Sequence, residues 1–465
     1  MPKMKKRYQK PEFWISSIGL AGLVTAFLCW LCNSGAASMA GRISAFLSAA
    51  LFAAVCLRFV PEWMQFWRKT PNANVKWKAA RLLEDVPPKH VEWRIFLSLL
   101  LVDAFVVLLV FLLRRAMGYA ESFCNDLSFW TCTDSGHYLD IARGWYLSEG
   151  PWERLVQLVF LPGYPLTVRL LNTIVNNVLY AGMLVSAFSF AGAGCIIYRL
   201  LRLDSPHSDA IRTIKYFCLL PGSFFFVAPM SESLFLLLCA ACIYCARTEK
   251  WVRGCLFGAM ASFTRSLGLT LFVPLFFELV SNFVRERGEV KSKASLKRFM
   301  LQFAALFLIP IGFAAYCYIN YIVAGDPFKF MEYQSVHWSQ HLGWFFNTAC
   351  YQLEMAIKCY GTNTHNLLGL WIPNLAASFL SLVIMLFAVK QLRPSYSAWY
   401  LSYFIIAIGA TWLLSAPRYL IALIPVPLAV AKLTRKPMLD MAASLISLLL
   451  SLLYLNAFVM RWQVW

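Results

Sequence analysis

The chain has 465 residues, of which 60% are hydrophobic and only 14% are charged, and its mean hydropathy is +0.61. Soluble domains usually carry close to a quarter charged residues, so this composition excludes an ordinary soluble enzyme. The apolar residues occur in long runs separated by short basic stretches, a pattern typical of helices that cross a bilayer. The sequence therefore predicts an all-α, polytopic membrane protein.

The chain is strongly basic, with 42 Lys and Arg against 23 Asp and Glu, giving a net charge of +19. On a soluble protein this excess would suggest a nucleic-acid partner. Here the basic residues lie in loops between apolar runs, as the positive-inside rule describes. We therefore expect the protein to contact membrane lipids and not to bind nucleic acid.

The cysteines give no metal motif. Cys239, Cys242 and Cys245 follow one another along an apolar run without a His or carboxylate to complete a ligand set. The sequence leaves open whether Cys124 pairs with Cys132, or Cys350 with Cys359, because both pairs lie in polar loops.

Residues 1–94 are predicted to form an N-terminal region of two transmembrane helices, Phe13–Asn33 and Ile43–Val60, followed by a basic cytoplasmic loop. The basic residues of that loop are Arg68, Lys69, Lys76, Lys78, Arg81 and Lys89. Residues 95–465 then form a second transmembrane domain, with long outer loops at 114–177 and 325–365.

A basic, cytoplasmic N-terminus fixes the direction of every later span, and about thirteen spans result. The spans of the second domain are Ile95–Leu113, Val178–Leu200, Tyr216–Met230, Leu234–Ala246, Gly254–Thr264, Leu267–Val280, Phe299–Val323, Leu367–Val389, Trp399–Leu414, Tyr419–Ala431 and Ala442–Val459. Several are short and are expected to be discontinuous helices surrounded by protein. Leu155–Val175 is interrupted by Pro162, Gly163 and Pro165, so a re-entrant or interfacial helix is predicted there.

This topology gathers chemically capable side chains on the outer, non-cytoplasmic face. They are Asp134, His137, Asp140, Glu232, Arg265, Asp326, Gln334, His337, His341 and Arg418. Ionisable groups at membrane depth are costly and usually face a functional cavity. The sequence therefore predicts one site that contains Asp134, Glu232, Arg265, Asp326 and Arg418.

Two of these positions allow two interpretations each. Asp134 suits a general base that accepts a proton from a hydroxyl, but it could equally be the N-cap of a helix over Gly136–Leu147. Arg265 and Arg418 suit a lipid phosphate, because guanidinium groups bind phosphate oxygens in a two-pronged way. The alternative for Arg265 is an ion pair with Glu232 that joins two helical hairpins.

Six segments, in order, resemble motifs of the PIG-V-like mannosyltransferases. The segments are Asp134-Ser-Gly-His-Tyr-Leu-Asp-Ile-Ala-Arg-Gly-Trp, Phe160-Leu-Pro-Gly-Tyr-Pro, Pro221-Gly-Ser-Phe-Phe-Phe-Val-Ala-Pro-Met-Ser-Glu-Ser-Leu-Phe, Thr264-Arg-Ser-Leu-Gly, Gly325-Asp-Pro-Phe with Gln334 and Trp338, and Ser415-Ala-Pro-Arg-Tyr. The resemblance covers roughly residues 95–465. Thr133 and Met230 depart from it, since the family pattern has Trp and Tyr at these positions.

The resemblance implies the GT-C architecture and an inverting transfer of a sugar, most often mannose, from a polyprenyl-phosphate donor to a hydroxyl of a glycan or lipid-linked acceptor. It implies Asp134 as general base and no required cofactor, with a divalent metal possible but not predicted. It also implies substrate binding by His137, Tyr138, Tyr164, Glu232, Arg265, Asp326, Gln334, Trp338, Arg418 and Tyr419.

Other functions fit parts of the pattern. A lipid or glycolipid transporter also uses broken helices and intramembrane charges, and a non-catalytic scaffold would carry the same hydrophobic spans. Short loops and the lack of a retention signal favour a prokaryotic plasma membrane, with the N-terminus in the cytoplasm.

Overall fold

The computed structural model describes residues 11–67, 87–119, 122–289 and 293–464. Arg68, Lys69, Lys76, Lys78 and Arg81 of the expected basic loop lie outside the described residues. Across the described ranges the regular structure is helical, apart from an isolated bridge between Leu342 and Ala410. The all-α prediction is thus confirmed.

The α-helices of six or more residues are numbered here in chain order. They are α1 (Pro11–Asn33), α2 (Met39–Phe66), α3 (Val91–Ala116), α4 (Asp134–Gly144), α5 (Gly163–Val175), α6 (Val178–Arg202), α7 (His207–Leu219), α8 (Glu232–Arg247), α9 (Trp251–Thr264), α10 (Phe272–Glu289), α11 (Lys293–Leu306), α12 (Leu308–Ala324), α13 (Lys329–Trp338), α14 (Phe345–Cys359), α15 (Ile372–Ala388), α16 (Pro394–Ile408), α17 (Ala416–Ile421), α18 (Pro425–Leu433) and α19 (Pro437–Val459).

Eight helical stretches among the described residues are long and apolar enough to cross a membrane, which makes the chain a multi-pass integral membrane protein. They are Pro11–Asn33, Met39–Phe66, Val91–Ala116, Val178–Arg202, Ser266–Glu286, Lys293–Ala324, Thr364–Ala388 and Pro437–Val459. A ninth is added if Trp152–Val159 and Gly163–Val175 are counted as one span, although they meet at a bend of 110°. This bend lies where the prolines and glycine predict an interrupted helix.

The number of long spans is lower than the thirteen expected, because several expected spans are short helices. Helices α8, α9 and α16 have 16, 14 and 15 residues, fewer than the ~20 that a straight span needs. Helices α8 and α16 are mostly buried, so neighbouring helices replace lipid around them. Helix α9 buries one face and exposes Val252, Leu256 and Met260 on the other.

Two of the expected spans are wrong. The one predicted at Tyr216–Met230 is absent: α7 starts earlier and ends at Leu219, after which Pro221 and Gly222, with φ of 92°, turn the chain. The span predicted at Tyr419–Ala431 is divided into α17 and α18 at Pro425. A proline has no N–H and its ring clashes with the preceding turn, which kinks or breaks a helix. Helix α2 continues past Pro61, whereas here the chain breaks before Pro425.

The N-terminal helices contact the second long loop region. Ser44 of α2 donates to the Ala349 carbonyl of α14 at 2.8 Å, and the Trp30 indole of α1 donates to the Asn347 side chain at 2.9 Å. Helices α1 and α2 therefore pack directly on region 95–465.

At one end of the helices, buried ion pairs tie neighbouring elements together. Asp209 of α7 accepts hydrogen bonds from Arg212, Lys432 and Arg435 at 3.0, 3.0 and 2.7 Å. At the same end Arg247, the last residue of α8, pairs with Asp204 at 3.0 Å. Helix α8 has 16 residues, so its first residue, Glu232, lies roughly 22 Å away from this end.

Candidate active site

The candidate site is built from four charged residues at the ends of separate elements. Asp134 and Glu232 are the first residues of α4 and α8, Arg265 directly follows α9, and Arg418 lies in the short helix α17. The fold thus brings together residues that are up to 284 positions apart in the chain. We call these four residues the ionic cluster.

Hydrogen bonds connect all four members of the ionic cluster. Arg418 donates from Nε to Oε1 of Glu232 and from Nη1 to Oδ2 of Asp134, the latter at 2.5 Å. Arg265 donates from Nη1 to the same Oε1 of Glu232 and, at 3.0 Å, to the Ser231 hydroxyl. Glu232 is therefore shared between two arginines, and Arg418 is shared between two carboxylates.

Burial differs sharply within the ionic cluster. The side chain of Glu232 is 0% exposed, and those of Arg418 and Arg265 are 4% and 10% exposed, whereas that of Asp134 is 26% exposed. The second oxygen of Glu232, Oε2, is buried and has no hydrogen-bond partner among the described residues. Asp134 is thus the member that solvent or a substrate can reach most easily.

A non-helical segment between α16 and α17 carries the chain to Arg418. Its backbone is buried, with Leu413 and Ser415 at 0% and 2% exposure, so its polar groups need partners inside the protein. Asn374 of α15 supplies two of them: its amide donates to the Leu413 carbonyl at 3.1 Å and accepts from the Ala416 N–H at 2.7 Å. Asn374 therefore fixes where α17 begins.

Two glycines allow close backbone contacts that place the arginines. A Cβ on Gly163, at the start of α5, would lie 2.3 Å from Oγ1 and 2.8 Å from Cα of Thr264, the residue before Arg265. Gly222 turns with φ of 92° and lies against the backbone of Pro417, the residue before Arg418. Both glycines fall within the motifs that the sequence singled out.

Helix α4 begins at Asp134, so the carboxylate does not serve as an N-cap. The residue in the cap position is Thr133, which makes no capping hydrogen bond and has φ of 56°. Positive φ is unfavourable for a β-branched residue, so the backbone is strained immediately before Asp134. Of the two interpretations of Asp134, the structure excludes the helix cap and leaves the chemical role open.

Tyr138 anchors α4 to the rest of the ionic cluster. Its hydroxyl lies 3.0 Å from the Ser231 hydroxyl, which in turn accepts from Arg265 at 3.0 Å. Tyr138 is 5% exposed, so this link holds the first turns of α4 firmly in place.

A series of aromatic side chains in contact extends from α4 towards the surface. His137 stacks on Phe160 with 4.8 Å between ring centroids, and Phe160 contacts Trp338 edge-on at 5.9 Å. Beyond them the Trp152 indole donates to Nδ1 of the exposed His337 at 3.0 Å. Burial lowers the pKa of His137 below its ordinary value, while the carboxylates of Asp134 and Asp140 act in the opposite direction.

Asp326 and Gln334, which were also expected in the site, make their described contacts outside the ionic cluster. Asp326 is exposed and accepts a hydrogen bond from the Phe328 N–H at 2.9 Å, and the described contacts do not link it to the ionic cluster. Gln334 donates to Gln340 at 2.8 Å. Tyr164 lies closer to the ionic cluster. Its fully buried ring packs edge-on against Tyr138 with 5.5 Å between centroids, and its hydroxyl donates to the Gly182 carbonyl of α6 at 2.8 Å.

Tyr419 does border the ionic cluster. Its ring lies beneath the Arg265 guanidinium at 5.3 Å, and Phe225 lies beneath that of Arg418 at 5.6 Å. These cation–π contacts stabilise positive charge in a buried setting.

Sequence reasoning did not select Ser231, Asn374 or Phe225 as part of the site. Ser231 and Phe225 lie within the motif that contains Glu232, so membership of this motif was the feature of the sequence that could have indicated them. Asn374 had only one clue, a polar amide in an otherwise apolar run.

All fourteen cysteines lie among the described residues and have free thiols. Within the described ranges, no group of three or more His, Cys, Asp or Glu side chains is placed to hold a metal ion.

The chain is similar in fold to a solved membrane protein. No family model and no curated protein matches the chain. The fold has a TM-score of 0.42 to the archaeal oligosaccharyltransferase AglB from Archaeoglobus fulgidus, solved in complex with an inhibitory peptide and a dolichol-phosphate. The two share 10% sequence identity over 81% of this chain, which spans 56% of the length of the AglB chain.

Proposed function

We propose that this protein is a glycosyltransferase of the GT-C type that transfers a sugar from a polyprenyl-phosphate donor to an acceptor hydroxyl. The observation that carries the proposal is the ionic cluster of this multi-pass membrane protein. Its partly exposed carboxylate, Asp134, is bound by the buried Arg418, which shares Glu232 with the buried Arg265. A proton acceptor and a phosphate-binding group, side by side, are what this reaction requires.

Asp134 is the proposed general base. Its side chain is the most exposed of the ionic cluster, and it lies at the start of a helix that Tyr138 holds in place. A general base must come within hydrogen-bond reach of the hydroxyl that it deprotonates. In this scheme the acceptor oxygen attacks C1 of the sugar with inversion, and its proton passes to Asp134.

Arg265 and Arg418 are the proposed phosphate ligands. As the bond between C1 and the phosphate oxygen breaks, its electron pair remains on the phosphate, and the fixed positive charges stabilise it. Their position on buried elements means that little reorganisation is needed when this charge develops. The phosphate is already a good leaving group, so positioning and charge stabilisation supply most of the catalysis.

The finer assignments rest on the resemblance to PIG-V-like mannosyltransferases. It supports mannose as the transferred sugar and a glycan or lipid-linked acceptor. The positive-inside pattern supports a cytoplasmic N-terminus and an active site on the non-cytoplasmic face of the plasma membrane. Substrate contacts are proposed for His137, Tyr138 and Trp338, which lie on or beside α4.

The proposal is tested with purified protein in lipid nanodiscs, polyprenyl-phosphate mannose labelled in the sugar, and an extract of the source membranes as acceptor. We expect labelled product together with an equal amount of free polyprenyl phosphate. A transporter would instead move the intact labelled donor across proteoliposome membranes. Translocation without product, or no product from any polyprenyl-phosphate sugar, would contradict the proposal.

A further inference from the structure

The charges of the ionic cluster balance before any substrate is present. Two guanidinium groups, on Arg265 and Arg418, face two carboxylates, on Asp134 and Glu232. A phosphate that entered this buried group would add negative charge without a free cation to receive it. Such a charge is costly in a buried setting unless one carboxylate gives up its place.

The structure distinguishes which carboxylate can move. Glu232 is fully buried and accepts hydrogen bonds from both arginines. Asp134 is 26% exposed and is bound by Arg418 alone. The cost of releasing Asp134 is one charge-assisted hydrogen bond, after which water can solvate its carboxylate.

The backbone around Asp134 favours a movement of the side chain alone. Tyr138, four residues along α4, is bound to Ser231, which is itself bound to Arg265. Helix α4 therefore keeps its place when Asp134 releases Arg418, and the carboxylate stays beside the site.

We propose that Asp134 and the phosphate of the lipid donor compete for Arg418, so that binding of the donor releases the base. This inference rests on the proposed function. Before the donor binds, Asp134 is the counter-ion of Arg418. When the donor phosphate takes its place on Arg418, Asp134 becomes free to accept the proton of the acceptor hydroxyl. The oxygen of that hydroxyl then bonds to C1, and the phosphate leaves with the electron pair of the broken bond.

The competition predicts an unusual effect of removing the carboxylate. Asp134→Asn keeps the shape of the side chain but gives Arg418 a neutral partner, so the phosphate no longer has to displace an anion. A charge-assisted hydrogen bond corresponds to about one to two decades in affinity. Because the release of Asp134 is partly offset by its hydration, we expect undecaprenyl phosphate to bind Asp134→Asn about tenfold more tightly than the wild type.

The matched control is Asp140→Asn. Asp140 lies on the same helix and pairs with Arg143 at 3.1 Å and Arg154 at 4.0 Å. This variant makes the same change in net charge without touching Arg418, so its affinity for the lipid phosphate should equal that of the wild type.

The experiment measures binding of undecaprenyl phosphate, without a sugar, to the three proteins in nanodiscs of neutral lipid. Tighter binding by Asp134→Asn alone supports the competition. Equal or weaker binding by Asp134→Asn, an equal gain in Asp140→Asn, or no binding by any protein would overturn it. If Asp134→Asn fails to fold, Asp134→Ala takes its place with the same expectation.

This result is separate from the fate of the proposed function, because no transfer is measured. Tighter binding by Asp134→Asn in a protein that transfers no sugar would leave the competition intact and refute the enzyme. Sugar transfer by the wild type, with unchanged binding of undecaprenyl phosphate by Asp134→Asn, would support the enzyme and refute the competition.

Discussion

Arg418 donates a hydrogen bond to Asp134, with 2.5 Å between Nη1 and Oδ2, although the two residues are 284 positions apart in the chain. The same arginine binds Glu232 through Nε. One guanidinium therefore joins the first turns of α4 and α8, and the orientation of Asp134 depends on a residue from the last quarter of the chain.

Replacing the shared carboxylate should be the most damaging single change in the ionic cluster. Glu232→Gln leaves Arg265 and Arg418 buried with one acidic partner between them, and breaking a buried pair in this way costs about 3–5 kcal/mol. We expect a large fall in melting temperature, measured by intrinsic fluorescence in detergent. Glu332→Gln is the control, because Glu332 is 55% exposed and pairs only with Lys329 on its own helix. Equal melting temperatures for the two variants would contradict the account.

Arg418 has acidic partners in the fold that its neighbours in sequence do not indicate. The Ser-Ala-Pro turn gives Arg418 no acidic neighbour in sequence, yet the fold gives it two. A lysine nitrogen cannot reproduce two contacts from separate guanidinium nitrogens. We expect Arg418→Lys to raise the Michaelis constant for the donor or lower turnover by about 10–100-fold, the equivalent of one charge-assisted hydrogen bond.

Arg418→Lys should also lower the melting temperature, as should Arg265→Lys, which keeps its charge beside Glu232. Measuring donor kinetics and melting temperature together distinguishes binding from packing. Unchanged kinetics with lower stability in both variants would leave these arginines as structural residues.

A methyl group at Gly163 should disturb Arg265 through Thr264, the residue directly before it. The new Cβ would lie 2.8 Å from the Thr264 Cα, and such overpacking costs about 1–3 kcal/mol. We expect Gly163→Ala to lower both turnover and melting temperature. In the control Gly192→Ala, the new Cβ would meet only Leu237, at 3.5 Å, and stability should stay constant or rise by roughly 0.5–1 kcal/mol. A harmless Gly163→Ala would show that the contact with Thr264 can relax.

Asp209 should make the stability of the protein dependent on pH through the buried ion pairs at the end of the helices away from Glu232. Burial raises its pKa, but hydrogen bonds and charge from Arg435 and Lys432 outweigh burial and hold it below the ordinary value. A lowered pKa means that the folded state prefers the carboxylate, so this stabilisation is present above about pH 4 and is lost as the pH falls further.

The corresponding measurement is melting temperature against pH for the wild type and Asp209→Asn. The wild-type curve should fall below about pH 4, and the variant should be less stable at neutral pH with a flatter acid limb. Parallel curves for the two proteins would remove Asp209 as the cause.

The long helices were predictable because apolar runs of sufficient length have one stable arrangement in a bilayer. Predicted spans at Phe13–Asn33, Val178–Leu200 and Ala442–Val459 fall within α1, α6 and α19. The region around Tyr216–Met230 was not predictable by hydropathy, because aromatic residues there fill a buried turn and do not face lipid. Phe224, Phe225 and Phe226 are all at most 2% exposed.

The membership of the site was predictable in part from topology. Placing basic loops on one side puts Asp134, Glu232, Arg265 and Arg418 together, and the structure joins these four by hydrogen bonds. Topology alone could not separate them from Asp326, which lies on a loop with its own backbone contact. The ion pair between Arg265 and Glu232, one of the two interpretations of Arg265, is present in the structure. The contacts of Arg418 with Asp134 and Glu232 were not predicted, because these partners come from distant parts of the chain.

The most direct test of the central claim is the turnover of Asp134→Asn, measured beside Asp140→Asn and Asp326→Asn with saturating polyprenyl-phosphate sugar. If Asp134 is the base, its variant should lose about 10²–10⁴ in turnover while keeping the wild-type elution profile, and the other two should retain most activity. Near-normal turnover in Asp134→Asn, with a large loss in Asp140→Asn or Asp326→Asn, would contradict the account and move the base to that residue.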